Sequence, residues 1–234
     1  MTRRKLRAVP VLSAVAAMLG LSWTAVLPAG EPIHHVPSEV CKNCHQEIYR
    51  QCSGSMHAQS PALSDPIHAT FYKMVVGSPT EEGVTHKASG KYPVCLQCHA
   101  PNAARDKVTK LDAKPAYSEG VNCVACHTLT NFKGTMGEDG KLKLGLKAYE
   151  TADKLQGPAG FNQGLKKLTA VNDMFGGAGG DEDQKPNPHL GEAVQFQGKE
   201  IPALPMESNP TQMKTNAACM GCHDHRDNPH GVPL

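Results

Sequence analysis

Aromatic and apolar residues are scarce in this sequence. Phe, Trp and Tyr together make up 5% of the 234 residues, and all hydrophobic residues make up 39%. A chain of this length with so little apolar volume would build only a thin core from its own side chains. The polypeptide alone therefore does not account for a stable fold.

The sequence also lacks an excess of charge of one sign. Its formal net charge is +2 at neutral pH. Proteins that bind nucleic acid usually carry a strongly basic surface. We therefore expect no nucleic-acid partner.

The N-terminus has a basic start followed by an uncharged apolar run from Ala8 to Leu27. This arrangement is typical of an export signal. Two interpretations remain open: residues 1–30 are a cleaved signal peptide, or they are an uncleaved anchor long enough to cross a bilayer. Both predict a periplasmic or extracellular location, attached to the membrane in the second case.

Eight of the nine cysteines form four Cys-x-x-Cys-His motifs. Two intervening residues let one short turn present both thiols to the vinyl groups of a haem, and the following His then lies at the iron. Zinc knuckles, disulfides and redox dithiols also use Cys-x-x-Cys, but they give His no reason to follow. The predicted attachment residues for four covalent haem c groups are Cys41, Cys44, Cys95, Cys98, Cys123, Cys126, Cys219 and Cys222, and the predicted proximal ligands are His45, His99, His127 and His223.

Four haems would supply the apolar bodies that the sequence lacks. Short helical patterns, few strand patterns and many Pro and Gly turns predict a mainly α fold with much irregular structure, packed around the haems. We expect one tetrahaem domain over residues 31–234, with a less haem-rich insertion at about 128–218. Within it, Gly137 to Gly140 predicts a turn, the alternating leucines at 142, 144 and 146 a hairpin, and the spacing from Lys147 to Leu155 a helix.

The distal haem ligands decide between electron transfer and catalysis. An iron with two axial imidazoles suits electron transfer, whereas an open position allows a small molecule to bind. Eight histidines lie outside the motifs, and four are needed. The first candidate is His57, twelve residues after His45 on a helix predicted from Ser38 to Ala58.

Proline positions identify the other distal candidates. His189 and His230 each follow an Asn-Pro pair that stiffens a non-helical segment. His68 follows a proline turn by two residues and completes the set, with His35 its nearest rival. His34, His86 and His225 are interpreted as surface residues or as partners of haem propionates.

These motifs and their flanks resemble the cytochrome c-554 family of multihaem cytochromes. In Cys41 to Ala58 the haem motif is followed by Ser-x-His-Ala, whose His is a distal ligand in that family, and Gly120 to His127 is similar to the family's third motif. Cys52, the unpaired cysteine, stands where the family usually has Trp. The resemblance implies a mostly helical fold with closely stacked haem pairs, and electron transfer as the activity. The segment 128–218 lies outside it.

We therefore expect an electron carrier rather than an enzyme, with mostly bis-His, low-potential haems and redox proteins as partners. Two alternatives stay open. A five-coordinate haem, as in one type of family member, would act on a small nitrogen or sulfur species, although no Cys-x-x-Cys-Lys motif is present. Self-association into an extracellular cytochrome filament would use the surplus histidines near the chain ends.

Overall fold

The computed structural model describes residues 30–158 and 187–223. Helices in this part of the chain are short and separated by turns. They are α1 (Ser38–Lys42), α2 (Gln46–Ser53), α3 (Pro66–Val75), α4 (Leu96–His99), α5 (Pro101–Arg105), α6 (Pro115–Ser118), α7 (Cys123–His127), α8 (Pro210–Met213) and α9 (Ala217–His223). Single 3-10 turns lie at Ile33–His35, Gly145–Ala148 and Pro188–Leu190.

Strands in the described residues are equally short and occur in pairs. They are β1 (Leu129–Phe132), β2 (Tyr149–Thr151), β3 (Leu155–Gly157), β4 (Val194–Phe196), β5 (Lys199–Ile201) and β6 (Met206–Ser208). β1 pairs antiparallel with β2, β4 pairs antiparallel with β5, and β3 pairs parallel with β6. The predicted mixture of helices, irregular segments and a few short strands is therefore found.

The helix predicted from Ser38 to Ala58 is interrupted within the first haem motif. α1 ends at Lys42, and the backbone of His45 takes φ −113° and ψ 51°, outside the helical region. The side-chain amide of Asn43 donates to the Val40 carbonyl at 2.9 Å, which competes with continued helical bonding. The helix therefore restarts as α2.

The predictions for residues 137–155 are met in part. The turn is confirmed, since the Gly140 N–H donates to the Gly137 carbonyl at 2.9 Å. A short hairpin is also found: Met136 and Leu142 form an antiparallel bridge, the Gly137 N–H donates to the Lys141 carbonyl at 2.8 Å, and the Lys143 N–H donates to the Thr135 carbonyl at 2.7 Å. The helix predicted from Lys147 to Leu155 is wrong, because the backbone from Tyr149 onward pairs with β1 instead.

Two apolar clusters hold the haem motifs in place. One surrounds Leu96, and the other joins the N-terminal segment at Ile33 to Val124 and Leu204. Leu96 and Val124 occupy the first variable position of the second and third motifs, and they are 0% and 1% exposed. Because these two residues are buried on one face of their helices, the cysteines and the histidine of each motif lie on the opposite face.

Within the described residues, no helix is long and apolar enough to cross a membrane. The predicted export segment, His225 and His230 lie outside the described residues. The single-domain prediction and the predicted export stay predictions.

Candidate haem-binding site

The second, third and fourth haem motifs lie on helical turns, and the first closes one hydrogen-bonded turn as α1 ends. The His45 N–H donates to the Cys41 carbonyl at 2.9 Å, and the His99 N–H donates to the Cys95 carbonyl at 3.0 Å. Residues separated by three or four positions in a helix share one face. The two thiols and the imidazole of a motif are therefore presented together, as covalent attachment requires.

The third motif is fixed by a buried asparagine at its N-terminus. The Asn122 side-chain oxygen accepts from the Ala125 N–H at 2.9 Å, and also from the Asn102 amide at 2.9 Å. Its own amide donates to the Glu119 carboxylate at 2.9 Å. Asn122 is 1% exposed, so α7 begins at one defined position.

The loop before this motif also positions His57. The Val121 N–H and the Ser60 hydroxyl both donate to the His57 carbonyl, at 2.9 and 2.8 Å. Gly120 has φ +65°, and a Cβ there would lie 2.3 Å from the His57 carbonyl oxygen. The leading Gly-Val sequence that carries the family resemblance therefore has a physical role here.

The fourth motif is anchored by Tyr149. The Tyr149 hydroxyl donates to the Ala217 carbonyl at 2.9 Å and accepts from the Gly221 N–H at 2.8 Å. A Cβ at Gly221 would lie 2.2 Å from the Tyr149 ring. α9 can approach this ring so closely because its motif contains glycine.

His189, a predicted distal ligand, faces the motif histidine His45. The two rings are stacked with their centroids 6.1 Å apart and their planes 25° from parallel. The His189 Nδ1 bonds the Leu204 carbonyl at 2.9 Å. Burial lowers the pKa of both imidazoles, which favours the neutral form that binds a metal.

His57, the first distal candidate, faces the motif histidine His223. Their centroids are 5.8 Å apart and their Nε2 atoms 3.5 Å apart. Because an imidazole–metal bond is about 2 Å long, two axial ligands of one metal have their nitrogens about 4 Å apart. The observed spacing is close to that value, although 166 residues separate the pair in sequence.

His68, the last predicted ligand, lies beside the motif histidine His99. Both rings bond the Ser60 carbonyl through Nδ1, at 2.8 and 3.0 Å, and their centroids are 4.1 Å apart. The Nε2 atom of His68 is buried without a hydrogen-bond partner. An orphaned buried nitrogen is explained if it binds a group outside the polypeptide. This pair is too close for an iron between the rings, so ligation requires the rings to separate.

His127 is not among these ring pairs of the described residues. Its Nδ1 bonds the Gln156 carbonyl at 2.8 Å, and it lies near enough to disfavour protonation of His45. His230, the remaining predicted distal ligand, lies outside the described residues. The ligand opposite His127 therefore stays a prediction.

The motif cysteines approach one another across the fold. Cys41 of the first motif lies beside Cys123 of the third, and this contact raises the pKa of the Cys41 thiol and lowers that of Cys123. Cys98 of the second motif lies beside Cys222 of the fourth, with the same opposed effect. Cys126 of the third motif also lies near Cys219 and Cys222, so the fold joins the motifs in an order that the sequence does not reveal.

The residues present fit covalently bound haem. Ligating histidines usually donate their second ring N–H to a backbone carbonyl, which fixes the ring direction. His68, His99, His127 and His189 all show this contact through Nδ1. Sequence reasoning missed the carbonyl partners because any residue supplies a backbone oxygen, so no residue type marks them.

His34 and His35 do not face a motif histidine. Both bond the carboxylate of Asp106, at 2.8 and 2.6 Å. His34 is 7% exposed, so it is not a surface residue, and its interpretation as a histidine outside the ligand set stays a prediction. Asp106, which the sequence analysis did not single out, lies 71 positions after His35 and has no local pattern that connects it to these histidines.

Comparison with known proteins gives two matches. Residues 40–128 match the family model described as cytochrome c554 and c-prime. A crystal structure of a penta-heme cytochrome c552 from Thermochromatium tepidum is 61% identical, with a TM-score of 0.75 over 87% of this chain and 49% of that chain. This chain thus spans about half the length of that protein. No curated protein matches the chain.

Proposed function

We propose, from the premise that this chain is a multihaem c-type cytochrome similar to cytochrome c554, that it carries electrons through four haems in the periplasm or extracellular space. The family match and the similar structure support electron transfer by a multihaem cytochrome. The number of haems rests on the four intact attachment motifs. The partners we propose are redox proteins that donate and accept electrons.

One observation carries the proposal: three motif histidines each lie beside a histidine from outside the motifs. These pairs are His45 with His189, His223 with His57 and His99 with His68. Haem supplies a one-electron couple when bound, and two imidazoles on its iron favour a low potential. Side chains that occupy both axial positions also keep small molecules from the metal.

The polypeptide contributes rigid positioning. The Leu204 carbonyl orients His189 and the Gln156 carbonyl orients His127, whereas His68 and His99 share the Ser60 carbonyl and have to separate to bind iron. Ligands that are fixed in this way change little between oxidation states, which suits rapid electron transfer. The approach of the first motif to the third, of the second to the fourth and of the third to the fourth favours closely spaced haems.

A small-molecule reaction at the third motif is the second candidate function. It is favoured by His127, which has no ring partner among residues 30–158 and 187–223. A five-coordinate iron there would leave an open position, as in one type of family member. If His230 supplies the ligand opposite His127, this position is filled and electron transfer is favoured. If it does not, the position is open to a small molecule.

Spectroscopy of the haem-loaded protein tests both candidates. We expect four haems per chain by mass spectrometry, and electron paramagnetic resonance of the oxidised protein with at least three low-spin irons. If neither nitric oxide nor cyanide changes the spectrum of any haem, the small-molecule reaction is excluded and electron transfer remains as the function. A mostly high-spin spectrum would refute the proposed carrier. If the wild type has one high-spin iron and His230→Ala has two, His230 binds an iron in the wild type. This result would refute the assignment of His127 as the open site.

A further inference from the structure

A second cluster of metal-binding side chains lies outside the haem motifs. It consists of His34 and His35, on the 3-10 turn at Ile33–His35, and Asp106, directly after α5. Their ligand atoms all lie within 4.8 Å of one another. We propose that His34, His35 and Asp106 bind one divalent transition-metal ion of the zinc class, in addition to the haem irons.

The distances within the cluster suit such a metal. The Nε2 atoms of His34 and His35 lie 2.8 and 2.6 Å from the two different oxygens of the Asp106 carboxylate. A tetrahedral site with bonds of about 2 Å has its ligand atoms about 3.3 Å apart. The two His–Asp distances therefore need to lengthen by about 0.5 and 0.7 Å to reach this value, within the range of side-chain rotation.

Contacts behind the ligands resemble those of known metal centres. A histidine ligand commonly donates its second N–H to a carboxylate, and a carboxylate ligand is itself hydrogen-bonded. The Nδ1 of His35 bonds the Glu31 carboxylate at 2.5 Å, and Glu31 is held by the Lys114 ammonium at 3.2 Å. The Tyr117 hydroxyl donates to Asp106. His35 and Asp106 thus have the supporting partner that is common in metal sites, whereas the Nδ1 of His34 is buried without a hydrogen-bond partner.

The protonation states also suit a cation. Burial opposes ionisation of Asp106, but bonds from Tyr117, His35 and His34 outweigh it and hold its pKa at about 2. Burial lowers the pKa of His34, which favours a neutral imidazole. An ionised carboxylate and a neutral imidazole are the forms that coordinate metals.

Access and ligand chemistry define which ion would bind. The Asp106 side chain is 27% exposed, whereas the side chains of His34 and His35 are 8% and 10% exposed. The carboxylate therefore forms the open side of the cluster. Two imidazoles and one carboxylate favour zinc or copper over calcium and magnesium, which prefer oxygen ligands.

Zinc uptake by the haem-loaded full chain tests the proposal. The protein is dialysed against Zn²⁺, and zinc and iron are counted by mass spectrometry. We expect one zinc for every four irons. After dialysis against Ca²⁺ under the same conditions, we expect the protein to retain no calcium. A thiol assay that finds only Cys52 reactive excludes zinc bound to unoccupied haem motifs.

Matched variants locate the zinc. Asp106→Asn removes a ligand. Loss of a residue that supports a ligand typically weakens metal binding by about 10- to 100-fold, and we expect Asp106→Asn to weaken zinc binding at least as much. Tyr117→Phe keeps the ligands and should weaken binding about tenfold. His86→Gln, a histidine outside the cluster and the motifs, should bind zinc as the wild type does.

Two results would overturn the site. One is a wild-type chain that takes up no zinc, which would leave the cluster as a hydrogen-bonded contact only. The other is Asp106→Asn protein with unchanged affinity. If Asp106→Asn does not fold, as judged by its haem content, the zinc K-edge absorption of the wild type decides. Scattering from two imidazoles at about 2 Å supports the site, and its absence refutes it.

Discussion

Replacing His189 by alanine tests the proposed ligand set most directly. In the structure this ring is stacked on His45, with centroids 6.1 Å apart, and it is oriented by the Leu204 carbonyl. If both imidazoles bind the same iron, the variant leaves one of four haems with a single axial histidine. We therefore expect about one quarter of the iron to change from low-spin to high-spin.

The fold should survive this change. The variant loses the hydrogen bond between the His189 ring and the Leu204 carbonyl, whose net contribution to the free energy of unfolding is about 1 kcal/mol. Haem content should stay at that of the wild type, because the covalent attachment residues are untouched. Electron paramagnetic resonance of the oxidised protein measures the spin states, and free imidazole should restore the low-spin signal.

The control is His86→Ala, which removes a histidine whose ring contacts the Ser89 hydroxyl at 3.4 Å. Its spin states should equal those of the wild type. A low-spin fraction in His189→Ala that matches this control would refute the ligand assignment. The stacking of His189 on His45 would then be a packing contact only.

Three further predictions follow from the same structure. His57→Ala should convert a different quarter of the iron, at the fourth motif, from low-spin to high-spin. The double variant with His189→Ala should convert about half of the iron in the same spectra. A double variant that converts no more iron than one single variant would contradict the pairing. Gly221→Ala should destabilise the protein by about 1–3 kcal/mol in thermal unfolding, because its Cβ would lie 2.2 Å from the Tyr149 ring; unchanged stability would contradict the packing described. Asp106 has its pKa lowered from 3.8 to about 2, so it contributes stability above about pH 4 that is lost as the pH falls to about 2. After allowance for solvent screening, we expect the wild type to lose about 1 kcal/mol of its free energy of unfolding over this pH range, as measured by denaturant unfolding. Asp106→Asn should not show this loss, and an equal loss in the variant would contradict the prediction.

Local chemistry made the attachment sites predictable from the sequence. A Cys-x-x-Cys-His motif fits on one helical turn, so its geometry depends on five adjacent residues and not on the rest of the fold. The turn at Gly137 to Gly140 was predictable for the same reason. The helix predicted from Lys147 to Leu155 failed because pairing with β1, at positions 129–132, prevailed over the local pattern.

The pairing of the histidines depends on distant parts of the chain. Proline and helix patterns selected His57 and His189 as candidates, but only the tertiary structure brings His57 to His223 across 166 residues. The cluster of Asp106 with His34 and His35 arises in the same way, from contacts more than 70 residues apart. The sequence by itself determined the four predicted attachment motifs, because each motif is local. The tertiary structure decided which imidazoles meet, because ligands that face each other come from separate segments that the shared core brings together.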